Sequence, residues 1–211
     1  MAPVTDSILI VLLLTNFYVL GTASLRGKIR VVGLQGLLLS VLPIYVESEL
    51  TLRLGAMVLV TGAIKGIVIP MLLLKAIRDV HIHHEVEPYL GFIPSLFLCA
   101  TGTAGALLFA DQLPLAAEHM GSLFVPASLA TLFSGFIVVT TRRKAISQVA
   151  GYLMLENGIY VFGLLLFQSV LIEVGVLLDL LVGIFVMGIV LNHIQREFSS
   201  LDTDQLSRLR E

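Results

Sequence analysis

The chain has 211 residues, 57% of them hydrophobic and 13% charged, with a mean hydropathy of +0.97 and a formal net charge of -2. Soluble globular domains carry about 25% charged residues, so this composition excludes that class and describes an all-α polytopic membrane protein. The small net charge identifies no partner, because a membrane protein is steered by local charge asymmetry and not by its total.

A spanning helix needs about 20 mostly apolar residues. That rule predicts seven transmembrane helices, at roughly 7–25, 30–46, 53–77, 89–110, 121–141, 146–168 and 170–194. Asp6 and the lack of any basic residue before the first apolar run argue against a cleaved signal peptide, so Ser7 to Ser24 is expected to be a retained helix. The second span is the shortest, and the fifth contains Pro126 and Gly135.

Charge then orients the spans. Taking alternate connections, Arg26, Lys28, Arg30, Lys75, Arg78, Arg142, Arg143, Lys144, Arg196, Arg208 and Arg210 fall on one side, against Arg53 alone on the other. This bias predicts a cytoplasmic C-terminus and, with seven spans, an external N-terminus.

The connection RDVHIHHEVEP after the third span gathers His81, His83 and His84 with Glu85 and Glu87. The spacing matches no helical metal-ligand pair, and a solvated turn is the expectation, with no metal. Cys99 is the single cysteine, which excludes an intrachain disulfide and any cysteine-only zinc or iron–sulfur site. The tail SSLDTDQLSRLRE, with Leu201, Leu206 and Leu209, reads as one amphipathic turn for the interface or a neighbouring subunit.

A faint echo at a shift of 118 residues sets Val31 and Gly33 on Val149 and Gly151, and Arg78 and Asp79 on Arg196 and Glu197. It divides the chain into a three-helix unit at 1–88, a linking helix and outer loop at 89–120, a second three-helix unit at 121–195 and a tail at 196–211.

Ionisable residues inside spans are the functional candidates, since each costs ~2.5–3.5 kcal/mol at a helix centre. At about 1.5 Å per residue, Glu156 lies about 16 Å from the cytoplasmic edge, Lys65 about 18 Å and Asp179 about 22 Å. A hydrocarbon core of ~30 Å places all three near its middle, whereas Glu173 falls close to the outer surface. Two acids and a lysine at one depth are the composition of a proton relay or of an ion-paired hinge. Asn157 and Gln35 are expected to be hydrogen-bonded packing residues, and Gly33, Gly151 and Gly183 to permit close helix contact. No nucleophile–base pair, phosphate loop or metal motif is found, so the chain is expected to bind no cofactor and do no covalent chemistry alone.

RRKAISQVAGYLMLENGIYVFGLLL, followed by LIEVGVLLDLLVGIFVMGIVL and a tail containing LDTDQLSRL, resembles hydrogenase-4 component E, a membrane subunit of formate hydrogenlyase-type group 4 NiFe hydrogenases. KGIVIP, with Lys65 and Pro70, fits the same family. The second half is also similar to the three-span K subunit of complex I and the C subunit of Mrp antiporters. Arg142 and Arg143 match their basic pair, Gly151 and Asn157 the following glycine and asparagine, and Asp179 and Gly183 the third-span acid and its glycine. The second-span acid of those subunits falls on Leu153, and Glu156 stands nearly one turn further on.

The resemblance implies a noncatalytic subunit in a bacterial or archaeal cytoplasmic membrane, with its last three helices forming a K-subunit-like bundle. Its partners would be lipid, an antiporter-like membrane subunit, other membrane-arm subunits and, indirectly, the NiFe and iron–sulfur subunits, with no nucleic acid. Glu156, Asp179 and Lys65, with Glu173 as a further candidate, would then take part in proton or sodium translocation. The rival readings are a structural anchor, an Mrp-like antiporter subunit and a self-contained transporter.

Overall fold

The computed structural model describes residues 2–46, 51–80, 88–113 and 122–165. Among these residues the chain is helical throughout its regular structure. The helices are α1 (Ala2–Gly21), α2 (Leu25–Val46), α3 (Leu52–Ala63), α4 (Ile69–Val80), α5 (Phe92–Ala110), α6 (Phe124–Thr141) and α7 (Ala145–Leu165). A π-helical turn, Ile64–Val68, joins α3 to α4 end on, so these two helices are one span.

Among the described residues, five helices are long and apolar enough to cross a membrane: α1, α2, the α3–α4 span, α5 and α6. The protein is therefore a multi-pass membrane protein. The expected sixth span corresponds to α7, whose 21 residues include Glu156 and Asn157 at its centre and which is not among the five. The seventh, at 170–194, lies outside the described residues, as do the histidine-rich connection and the tail.

Short polar side chains start the helices where the chain turns. Ser24 Oγ accepts the amide of Gly27 at 3.2 Å at the start of α2, and Thr51 Oγ1 accepts that of Leu54 at 3.3 Å at the start of α3. The Ser24 cap corrects the expected start of the second span at residue 30. Helix α2 begins at Leu25, which puts Arg26, Lys28 and Arg30 on the helix.

Pro3, Pro94 and Pro126 stand in the first turns of α1, α5 and α6, where an amide proton has no helical acceptor to lose. Pro70 stands inside a span. It cannot donate to the carbonyl of Gly66, and its ring crowds that carbonyl. The backbone widens there, with the Ile69 amide reaching back to the Ile64 carbonyl, five residues earlier.

The helices pack in two rows. One row runs α1, α2, α3–α4 and the other α5, α6, α7, with α1 against α5 and α6 and α2 against α7. Between α6 and α7 the backbones nearly touch. A Cβ added at Gly135 would lie 2.7 Å from the Leu155 nitrogen, and one at Gly151 would lie 2.8 Å from the Val139 nitrogen. Small residues at such crossings are how helices gain packing energy in lipid, where no hydrophobic drive joins them.

The ends of α1, α4 and α6 and the starts of α2, α5 and α7 gather at one end of the bundle, which is therefore the basic end. Arg142 and Lys28, counted above among the charges of the connections, are buried. The Arg142 guanidinium donates to the Leu20 carbonyl at 2.7 Å and the Leu90 carbonyl at 3.1 Å, and lies 4.8 Å from the Phe92 ring centroid. It thus satisfies a carbonyl that the last turn of α1 leaves without a helical partner. Lys28 Nζ donates to Ser147 Oγ at 3.3 Å and ties α2 to α7.

Candidate functional site

Two apolar clusters fill the bundle. One, toward the basic end, contains Val19, Ile29, Val32, Ile69, Ile137 and Met154; the other contains Leu9, Leu12, Leu39, Ala127, Val161 and Leu164. A polar layer separates them. Four helices contribute, each from the stretch between its two apolar patches: Asn16 on α1, Gln35 on α2, Thr131 on α6, Glu156 and Asn157 on α7.

The neutral members form one hydrogen-bonded chain. Asn157 Nδ2 donates to Gln35 Oε1 at 3.4 Å, Gln35 Nε2 donates to Asn16 Oδ1 at 2.9 Å and Thr15 Oγ1 at 2.8 Å, and Asn16 Nδ2 donates to Thr131 Oγ1 at 2.9 Å. Four helices are joined across the layer. Gln35 and Asn157 are thus bonded to each other, as expected of interhelical glue.

The charged members sit at the α7 side of that layer. Lys65 lies in the π turn, and its Nζ is 2.9 Å from Glu156 Oε1; the two side chains are 5% and 4% exposed. Tyr160, one turn beyond Glu156 on α7, turns its ring to the ammonium, with 5.3 Å from Nζ to the centroid. An aromatic face stabilises a desolvated cation, so Lys65 is held by a carboxylate and a ring from the same helix. Glu156 Oε2 is buried with no hydrogen-bond partner among the described residues.

A buried ion pair is no proof of stabilisation, since the desolvation of both ions offsets their attraction. What such a pair does is make each charge depend on the other. Removing either one leaves the other buried without its counter-charge.

Of the residues predicted to carry function, the structure brings Lys65 and Glu156 together; Asp179 and Glu173 lie outside the described residues, as does Gly183. Gly33 packs on Pro70 and Gly151 on Val138 and Val139, both close helix contacts. Sequence reasoning missed Tyr160, Asn16, Thr131 and the π turn. Pro70 inside an apolar span was the available signal for the last of these. Among the described residues no three His, Cys, Asp or Glu side chains gather as a metal site.

No family model matches the chain. The protein Rv0085 of Mycobacterium tuberculosis, named as uncharacterized, is 32% identical over 209 residues, covering 95% of this chain and 93% of that protein. The chain belongs to the Rv0085 family. Hydrogenase-4 component E of Escherichia coli K12 is 29% identical over 101 residues, 47% of this chain and 46% of that protein, and the Shigella flexneri protein of the same name matches to the same extent. That likeness spans about half of each chain, whereas the Rv0085 likeness takes in nearly all of both. No solved structure matches.

Proposed function

We propose that this member of the Rv0085 family is a noncatalytic membrane-arm subunit of a complex related to the group 4 NiFe hydrogenases. In it, Lys65 and Glu156 exchange protons as part of ion translocation driven by electron transfer. The observation that carries the reading is the buried Lys65–Glu156 pair, 2.9 Å apart within the polar layer. The likeness to hydrogenase-4 component E supports the class of complex.

On this reading the chain has seven spans in a cytoplasmic membrane, with the N-terminus outside and the last three helices as a K-subunit-like bundle. Asp179 is the next carboxylate after Glu156, and Glu173 serves near the outer surface. An antiporter-like subunit completes the path, and the NiFe and iron–sulfur centres belong to other subunits. The coupled ion is a proton, or sodium exchanged against it at the same carboxylates.

The test is Glu156→Gln and Asp179→Asn in the assembled complex. Coupled ion transport should fall while the hydrogenase activity of the soluble arm persists. Unchanged transport and unchanged gradient-dependent turnover in both variants would rule the relay out. A second reading, a structural anchor, is favoured by the Asn157–Gln35–Asn16–Thr131 chain, which joins four helices through groups that carry no charge. If the anchor reading holds, the same substitutions deplete the assembled complex and leave the transport of each surviving copy intact.

A further inference from the structure

The two halves of the ion pair are on different spans, and each is seated by one of two consecutive residues of α2. Gln35 holds α7: its Oε1 accepts from Asn157, the residue after Glu156, at 3.4 Å. The other end of Gln35 is fixed, because its Nε2 donates to Asn16 and to Thr15 on α1. Gly36 seats the π turn. A Cβ placed there would lie 2.6 Å from Lys65 Cβ, 3.2 Å from the Lys65 carbonyl carbon and 3.3 Å from its oxygen. These are the root and backbone of Lys65, not the far end of a flexible side chain, so nothing larger than glycine fits without moving Lys65 itself.

We propose that Gln35 and Gly36 are positioning residues for the Lys65–Glu156 pair: α2 fixes the π turn through Gly36 and α7 through Gln35, and so sets the distance across which the two groups meet. Neither residue exchanges a proton. The inference rests on reading Lys65 and Glu156 as the exchanging groups, and its test is independent of transport.

The test is a zero-length cross-link within the full chain in native membranes. An apolar carbodiimide activates the Glu156 carboxyl, the Lys65 amine displaces it, and the reagent leaves as its urea having taken up the elements of water. The product is an amide between the two side chains, quantified by mass spectrometry of the digested protein. Gly36→Ala is expected to lower the amide yield about ten- to a hundredfold, the scale of loss when reacting groups are displaced by about 1 Å. Gln35→Leu should lower it as well, by freeing α7.

Two controls separate positioning from general loosening. Thr131→Val removes one bond at the far end of the same chain, and Gly102→Ala wedges α5 away from Phe133 on α6. Both should leave the yield near that of the parent. A yield unchanged in Gly36→Ala and Gln35→Leu, or lowered equally in all four variants, would overturn the proposal. If Gly36→Ala fails to accumulate in the membrane, Gln35→Leu against Thr131→Val decides alone. Loss of the amide in Gln35→Leu with transport intact would uphold the positioning and refute the relay. Transport abolished by Glu156→Gln, with the amide unaffected in Gln35→Leu, would do the reverse.

Discussion

Removing Lys65 and removing Glu156 should each destabilise the protein, and removing both should cost less than either alone. At 2.9 Å the pair attracts with about 6 kcal/mol at an effective dielectric of about 20. Desolvating each ion costs several kcal/mol, so the intact pair is close to neutral overall. Lys65→Met leaves Glu156 buried without its counter-charge, and Glu156→Gln does the same to Lys65; each should cost about 3 kcal/mol. The double variant has no buried charge at either position and should lie within about 2 kcal/mol of the parent, not at the sum of about 6. The measurement is a double-mutant cycle on the full-length protein in mild detergent, with unfolding followed by circular dichroism. Additive losses would mean that Lys65 and Glu156 do not interact in the folded protein, and the proposed exchange site would fall with them.

Arg142→Leu removes two charged hydrogen bonds, to the Leu20 and Leu90 carbonyls, and should cost about 3 kcal/mol in the same unfolding assay. Arg142→Lys should recover less than half, because an ammonium cannot reach two carbonyls as a planar fork does; full recovery would contradict the geometry. Pro70→Ala gives residue 70 an amide that can donate to Gly66, so the π turn should tighten to α-helix. That turns Lys65 by about 100° relative to α4. Solid-state NMR in lipid should then find Lys65 Nζ separated from the Glu156 carboxyl, and a retained short distance would show that Pro70 is not what widens the turn.

The first five spans were legible because composition and hydropathy act over about 20 residues at a time. Lys65 and Glu156 were legible for the converse reason: a charge in an apolar run is conspicuous. What the sequence withheld depends on which way a side chain turns. Charge counting placed Lys28 and Arg142 correctly at the basic end but grouped them with the connections, because it cannot see that Arg142 points inward to cap α1. The Ser24 cap, and with it the true start of α2, follows from local geometry that a hydropathy window averages away. Asn16 and Thr131 look like unremarkable polar residues in apolar helices until the fold aligns them with Gln35. Tyr160 gains its role from the Lys65 ammonium of another span, a pairing that no spacing within α7 encodes.

The polar layer also bears on how the chain is made. The bonds Asn157–Gln35 and Arg142–Leu20 each join residues 122 positions apart, and Asn16–Thr131 joins residues 115 apart. At about 5–20 residues per second, synthesis needs roughly 6–24 s to cover such a gap. During that interval α1 and α2 stand in the bilayer with Asn16 and Gln35 able to satisfy one another, while the Leu20 carbonyl waits for Arg142. The amino-terminal helices are therefore inserted early and completed late. A nascent chain cut short before α6 would lack Thr131 for Asn16, Asn157 for Gln35 and Arg142 for the Leu20 carbonyl.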